Sequence, residues 1–111
     1  MFIDIYLETW NKGKGTHLFY LYPINAGDID SPEIDAYSIF TELIRNVGGL
    51  WKDKELWEID GDLGGVKVKK SDVLYFIERV NAEAGVESCR NMDKVMNLDD
   101  NKFYALVGCE S

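Results

Sequence analysis

Histidine is nearly missing from this chain: among 111 residues there is one, His17, beside two cysteines and two prolines. That scarcity narrows the chemistry. Acyl transfer by a serine or cysteine nucleophile usually draws on a histidine base. His17 lies in a strand-like segment, where a lone histidine is more often a surface or structural residue. Zinc needs several histidine or cysteine ligands, and His17, Cys89 and Cys109 are scattered without a recognisable spacing. Two cysteines also fall far short of a disulfide framework. They are expected to be reduced thiols in a cytoplasmic protein. Arg90 is expected to lower the Cys89 pKa somewhat, while Cys109 ends an apolar run and is expected to pack as a small hydrophobe.

Long apolar runs are missing too, so no membrane-spanning helix is expected. Met1-Phe2-Ile3-Asp4 lacks a basic start and Asp4 and Glu8 interrupt it, so no signal segment is expected. Phosphate cradles are absent: Gly61-Asp-Leu-Gly-Gly65 has no following Lys-Ser/Thr, and Asp60 and Asp62 would repel a phosphate. Asp60-Gly61-Asp62 resembles the opening of a calcium loop, but Gly64 and Ser71 occupy positions that need ligands. Asp28, Asp30 and Asp35 could surround a divalent ion; loop solvation and helix N-terminal charge account for them equally well. No cofactor or metal is expected, and no catalytic constellation stands out.

Positive charge is in short supply. Twelve lysines and arginines face twenty acids, giving a net charge of −8. Direct nucleic-acid binding and attraction to anionic membranes are therefore disfavoured. A basic protein is the favoured partner.

What the chain does have is a core. Apolar residues make up 46% and aromatics 13%, enough to offset chain entropy, and the length suits one domain over residues 1–111. Residues 3–8 alternate apolar and polar, and 17–22 resume strand character after a loop containing Gly13 and Gly15, which are expected to supply positive φ. That pattern predicts a hairpin. Ser31-Pro32-Glu33 predicts a helix start, followed by apolar positions at Ala36, Phe40, Leu43, Ile44 and Val47 and a Gly48-Gly49 stop. Trp57 to Asp60 and Val66 to Lys69 predict a second hairpin around a 61–65 turn, with Lys67 and Lys69 on its wet face. Ser71-Asp72 is expected to cap a second helix with the stripe Val73, Ile77, Val80 and Ala84, ending at Gly85. A short helix is suggested through Met92–Met96, and Phe103–Cys109 reads as a buried last strand. The expected fold is α+β in the order β-β-α-β-β-α-β, with a mixed or antiparallel sheet and two helices on one face.

The charge is uneven. Residues 28–62 hold ten acids and three bases; everything else holds ten acids and nine bases. Trp51 and Trp57 stand within that acidic stretch. Asp28, Asp30, Glu33, Asp35, Trp51, Asp53, Glu55, Trp57, Glu58, Asp60 and Asp62 are thus the candidate partner-binding residues, with charges steering encounter and aromatics as anchors. Solvated charges beside core tryptophans are the plainer alternative. The profile is similar in type to immunity proteins that neutralise bacterial toxins, and to phage-encoded inhibitors of host defence complexes, including anti-CRISPR and DNA-mimic types. The expected function is a non-enzymatic inhibitor of a basic toxin or nucleic-acid-binding effector, acting as a monomer or homodimer. A small enzyme or ligand-binding domain using His17 and Cys89 is the competing expectation.

Overall fold

A computed structural model of the chain describes residues 3–10, 15–22, 56–60 and 63–110. Among the described residues, five strands, β1 (Ile3–Thr9), β2 (His17–Tyr22), β3 (Leu56–Asp60), β4 (Leu63–Val68) and β5 (Tyr104–Glu110), accompany two helices, α1 (Lys70–Ala84) and α2 (Met92–Met96). The strands form one sheet in the order β2-β1-β5-β4-β3, and every pair in it is antiparallel. The fold class is α+β. The helix expected after Ser31 lies outside the described residues.

Strand alternation builds the core. Ile5, Leu7, Val66, Val68, Tyr104 and Leu106 cluster with Phe19 and Leu21, and α1 adds Val73, Phe76, Ile77 and Val80. The α1 stripe is i, i+3, i+4, i+7, so Phe76 joins a face on which the sequence reading had Val73, Ile77 and Val80. Ala84 is only half-buried. Each large apolar side chain on this stripe contributes about 1.5–3 kcal/mol by leaving water. Val95 of α2 joins the same cluster.

The first hairpin is less regular than period-two reading implies. Ile5 pairs with Tyr22 but Tyr6 with Tyr20, and Leu7 pairs with Phe19 but Glu8 with His17. Leu21 and Leu18 are thus inserted residues at two bulges. One consequence is that Leu21 and Tyr22, though adjacent, are both buried. Gly15 serves here through close approach: a Cβ there would overlap the Thr9 carbonyl oxygen. The only described glycine with positive φ is Gly85, which corrects the expectation for Gly15; Gly13 lies outside the described residues.

The second hairpin corrects the expected turn. Leu63, Gly64 and Gly65 belong to β4, with Gly64 opposite Glu58 on one side and Gly108 on the other. Glycine-rich sequence reads as a turn, but pairing on both flanks supplies the backbone partners that make these residues a strand. Lys69 is not in the strand; it is the residue before α1. The helix starts one residue earlier than Ser71, and Asp72 is its acidic third residue, whose Oδ2 accepts the Lys69 N–H at 2.9 Å. Gly85 ends α1 at φ 74°, as expected.

The edge strand β2 is partly covered by the segment after α1. The Arg90 N–H donates to the Leu21 carbonyl at 2.8 Å, and Asn91 Nδ2 donates to the Tyr20 carbonyl at 2.6 Å. Occupied carbonyls blunt an edge against pairing with another chain. Ser88, fully buried, is held by its N–H to Asn81 Oδ1 at 2.8 Å and its hydroxyl to the Val86 carbonyl at 3.2 Å. Lys70 Nζ donates to the Met96 carbonyl at 2.7 Å and lies 3.7 Å from Asp100, tying the start of α1 to the end of α2. Among the described residues, no helix is long and apolar enough to cross a membrane.

Candidate functional site

Alternation sends one set of strand residues to the core and the other to the second sheet face. Cross-strand register places Tyr6 beside Tyr20 and Val107, Glu8 beside His17 and Ala105, and Lys67 beside Ala105. Ala105 and Val107 are buried yet stand outside the core cluster, as the small floor of this face.

Two groups of side chains stand out. Near β2, the rings of Tyr6, His17 and Tyr20 meet at centroid distances of 4.7–5.6 Å. The Arg90 guanidinium lies 5.2 Å from the Tyr20 ring centroid, a cation–π arrangement. Glu8, paired in register with His17, has its pKa raised by burial, an effect the nearby His17 charge partly opposes.

The other group lies where β1 ends and β5 begins. Thr9, Trp10, Leu18, Lys102, Phe103 and Tyr104 line an open, mostly apolar groove of about 540 Å³. Lys67 Nζ stands 4.4 Å from the Phe103 ring centroid and 5.5 Å from that of Trp10, and Lys69 Nζ stands 5.2 Å from Phe103. The sheet order β1-β5-β4 explains this meeting. Trp10 follows β1, Phe103 precedes β5, and Lys67 lies on β4, so three adjacent strands deliver them to one end of one face. Lys67 and Lys69 are expected on a wet face; Lys67 is instead half-buried against aromatic rings. The readable signal was Lys67-Val68-Lys69, which puts two lysines on the same side. Nothing in the sequence announced that Trp10 and Phe103 would join them.

Cys89 reverses its expectation. Its side chain is buried in the core, and burial pushes the thiol pKa up to about 12, so Arg90 does not activate it. A nucleophilic cysteine needs the thiolate. His17 is solvent-exposed and packs with Tyr6 and Tyr20, while Cys89 packs with the core. The side chain of Cys109 lies outside the described residues. Among the described residues, no group of three or more His, Cys, Asp or Glu could hold a metal ion.

Of the acidic-stretch candidates, Trp57, Glu58 and Asp60 lie on β3, with Trp57 opposite Gly65, Glu58 opposite Gly64 and Asp60 opposite Leu63. That strand is at the edge of the sheet. Asp28, Asp30, Glu33, Asp35, Trp51, Asp53, Glu55 and Asp62 lie outside the described residues. No family model matches the chain, and neither the curated proteins nor the solved structures contain a match to it.

Proposed function

We propose that this chain is a non-enzymatic binding protein that engages a basic protein surface through residues 28–62 and blocks it. The observation that carries the reading is the segregation of charge: ten acids against three bases in that stretch, and near neutrality elsewhere. Clustered like charge raises the rate of encounter with an oppositely charged partner and rejects like-charged ones. Trp51 and Trp57 supply the large rings that anchor tight interfaces. An immunity protein against a bacterial toxin is the preferred form. A phage-encoded inhibitor of a host defence complex draws on the same charge pattern, with a nucleic-acid-binding effector as partner.

The test is capture from the native host with the immobilised chain, compared with a variant carrying Asp53→Lys, Glu55→Lys and Glu58→Lys. A basic protein should be retained by the wild-type chain, with affinity falling as salt rises. The triple variant should bind it roughly tenfold or more weakly. Equal capture by both chains, or retention insensitive to salt, would sink the assignment.

A further inference from the structure

We propose that the β2 edge of the sheet carries a second docking surface, built on Tyr6, His17, Tyr20 and Arg90, for a protein partner that presents a carboxylate side chain to the Arg90 guanidinium. It goes beyond the acidic-stretch reading and uses none of its residues.

Arg90 is the observation that carries it. Its side chain is half-buried, its guanidinium lies 5.2 Å from the Tyr20 ring centroid, and its Nε is buried without a hydrogen-bond partner among the described residues. No carboxylate of the described residues pairs with it. Taking a guanidinium out of water costs solvation that a paired acid normally offsets, and buried donors are nearly always bonded. The positive charge is delocalised over the group, so a carboxylate held by the outer nitrogens offsets that cost even though Nε itself is sealed. The planar fork takes a carboxylate bidentately while its face stays on Tyr20.

The surroundings are those of a protein interface. Tyr20 is 40% exposed and His17 is exposed, and their rings pack with Tyr6 into one aromatic platform. Tyrosine and arginine are enriched among the side chains that anchor interfaces. The platform is also held in place beforehand: the Arg90 N–H and Asn91 Nδ2 donate to the Leu21 and Tyr20 carbonyls, so little ordering entropy is lost on docking. Charge narrows the partner. Glu8, paired in register with His17, and the net charge of −8 repel a polyanion, whereas a single carboxylate on a mostly neutral surface meets little of that field. β2 and β3 are opposite edges of the sheet, about 19 Å apart at about 4.8 Å per strand, so Trp57, Glu58 and Asp60 belong to a different surface.

The experiment replaces exposed His17 or Met92, one at a time, with the photo-crosslinker p-benzoylphenylalanine in the full chain, irradiated in the native host. The joined peptides should come from one protein and contain an Asp or Glu. With that partner purified, Arg90→Ala should weaken binding by about tenfold or more, and Arg90→Lys by a similar factor because the fork is lost. Changing the partner's acid to alanine should weaken binding to the unaltered chain as much, which needs no variant of this chain to fold. Arg90→Glu should bind again once the partner's acid is changed to arginine. The variant with Asp53→Lys, Glu55→Lys and Glu58→Lys should bind this partner undiminished, which separates failure here from failure of the acidic-stretch reading. The proposal is overturned by the absence of a cross-linked protein at both positions, by joined peptides without an acid, or by full binding after the partner's acid is removed.

Discussion

Asn91 and Gly85 hold the positive φ angles of the described chain, at 63° and 74°. At Gly85 the reason is the helix end, and a Cβ there would meet nothing within 4 Å. At Asn91 the residue does two things. Asparagine tolerates the left-handed region better than most side chains, and its Nδ2 donates to the Tyr20 carbonyl on β2. The two contributions separate by substitution. Asn91→Gly keeps the backbone easy and loses the hydrogen bond, for a cost of about 1 kcal/mol. Asn91→Ala loses both, for about 2 kcal/mol. Urea unfolding of the two variants should show alanine as the more damaging; the reverse order would mean that glycine's greater freedom in the unfolded chain costs more than the left-handed angle costs alanine.

Glu8 gives the residue scale its pH dependence. Burial raises its pKa above the ordinary 4.5, with the His17 charge opposing. The folded state then holds a proton more tightly than the unfolded chain. Its stabilising contribution is fully present below the unfolded value and is lost as pH rises through the folded one. Glu8→Gln removes the half-buried carboxylate, so the variant should melt above the wild type at pH 7. That advantage should shrink as pH falls into the carboxyl range, about pH 4. An advantage that grows on acidification would show that the His17 attraction, not burial, dominates.

At the element scale, α1 shows how an amphipathic helix is fixed at both ends and along one side. Asp72 holds the Lys69 N–H at the start, Gly85 turns the chain at the end, and Val73, Phe76, Ile77 and Val80 anchor the stripe between. These contributions differ in size. Asp72→Ala should cost about 0.5–2 kcal/mol, the usual range for a lost helix cap. Phe76→Ala, at a fully buried position, should cost about 3–5 kcal/mol. Chemical denaturation of the pair checks the ranking, and a Phe76→Ala variant no weaker than Asp72→Ala would mean the core collapses around the missing ring. The helix was legible because its apolar spacing and closing glycine are local signals. Phe76 escaped the reading because Val73, Ile77, Val80 and Ala84 already traced one stripe, and only packing against the sheet shows how wide the buried face is. The 63–65 strand segment escaped because glycines carry no side-chain pattern, so only their neighbours on β3 and β5 reveal them.

On the scale of the whole molecule, charge is distributed by sequence and site by topology. The acidic stretch 28–62 is a property of the chain read in order, visible without any fold. The lysine and aromatic cluster at the other site joins residues 10, 18, 67, 69, 102 and 103, which no local window contains. By itself the sequence determined the α+β class, the first hairpin, α1 and its closing glycine, and the concentration of negative charge, because periodicity, capping and composition act over a few residues. Only the tertiary structure decided that Cys89 is buried as an inert thiol, that Leu18 and Leu21 are bulged, and that Trp10, Phe103 and two lysines share one end of the sheet. The physical reason is strand order: β5, last in the chain, sits between β1 and β4, and inserting it there brings distant residues together.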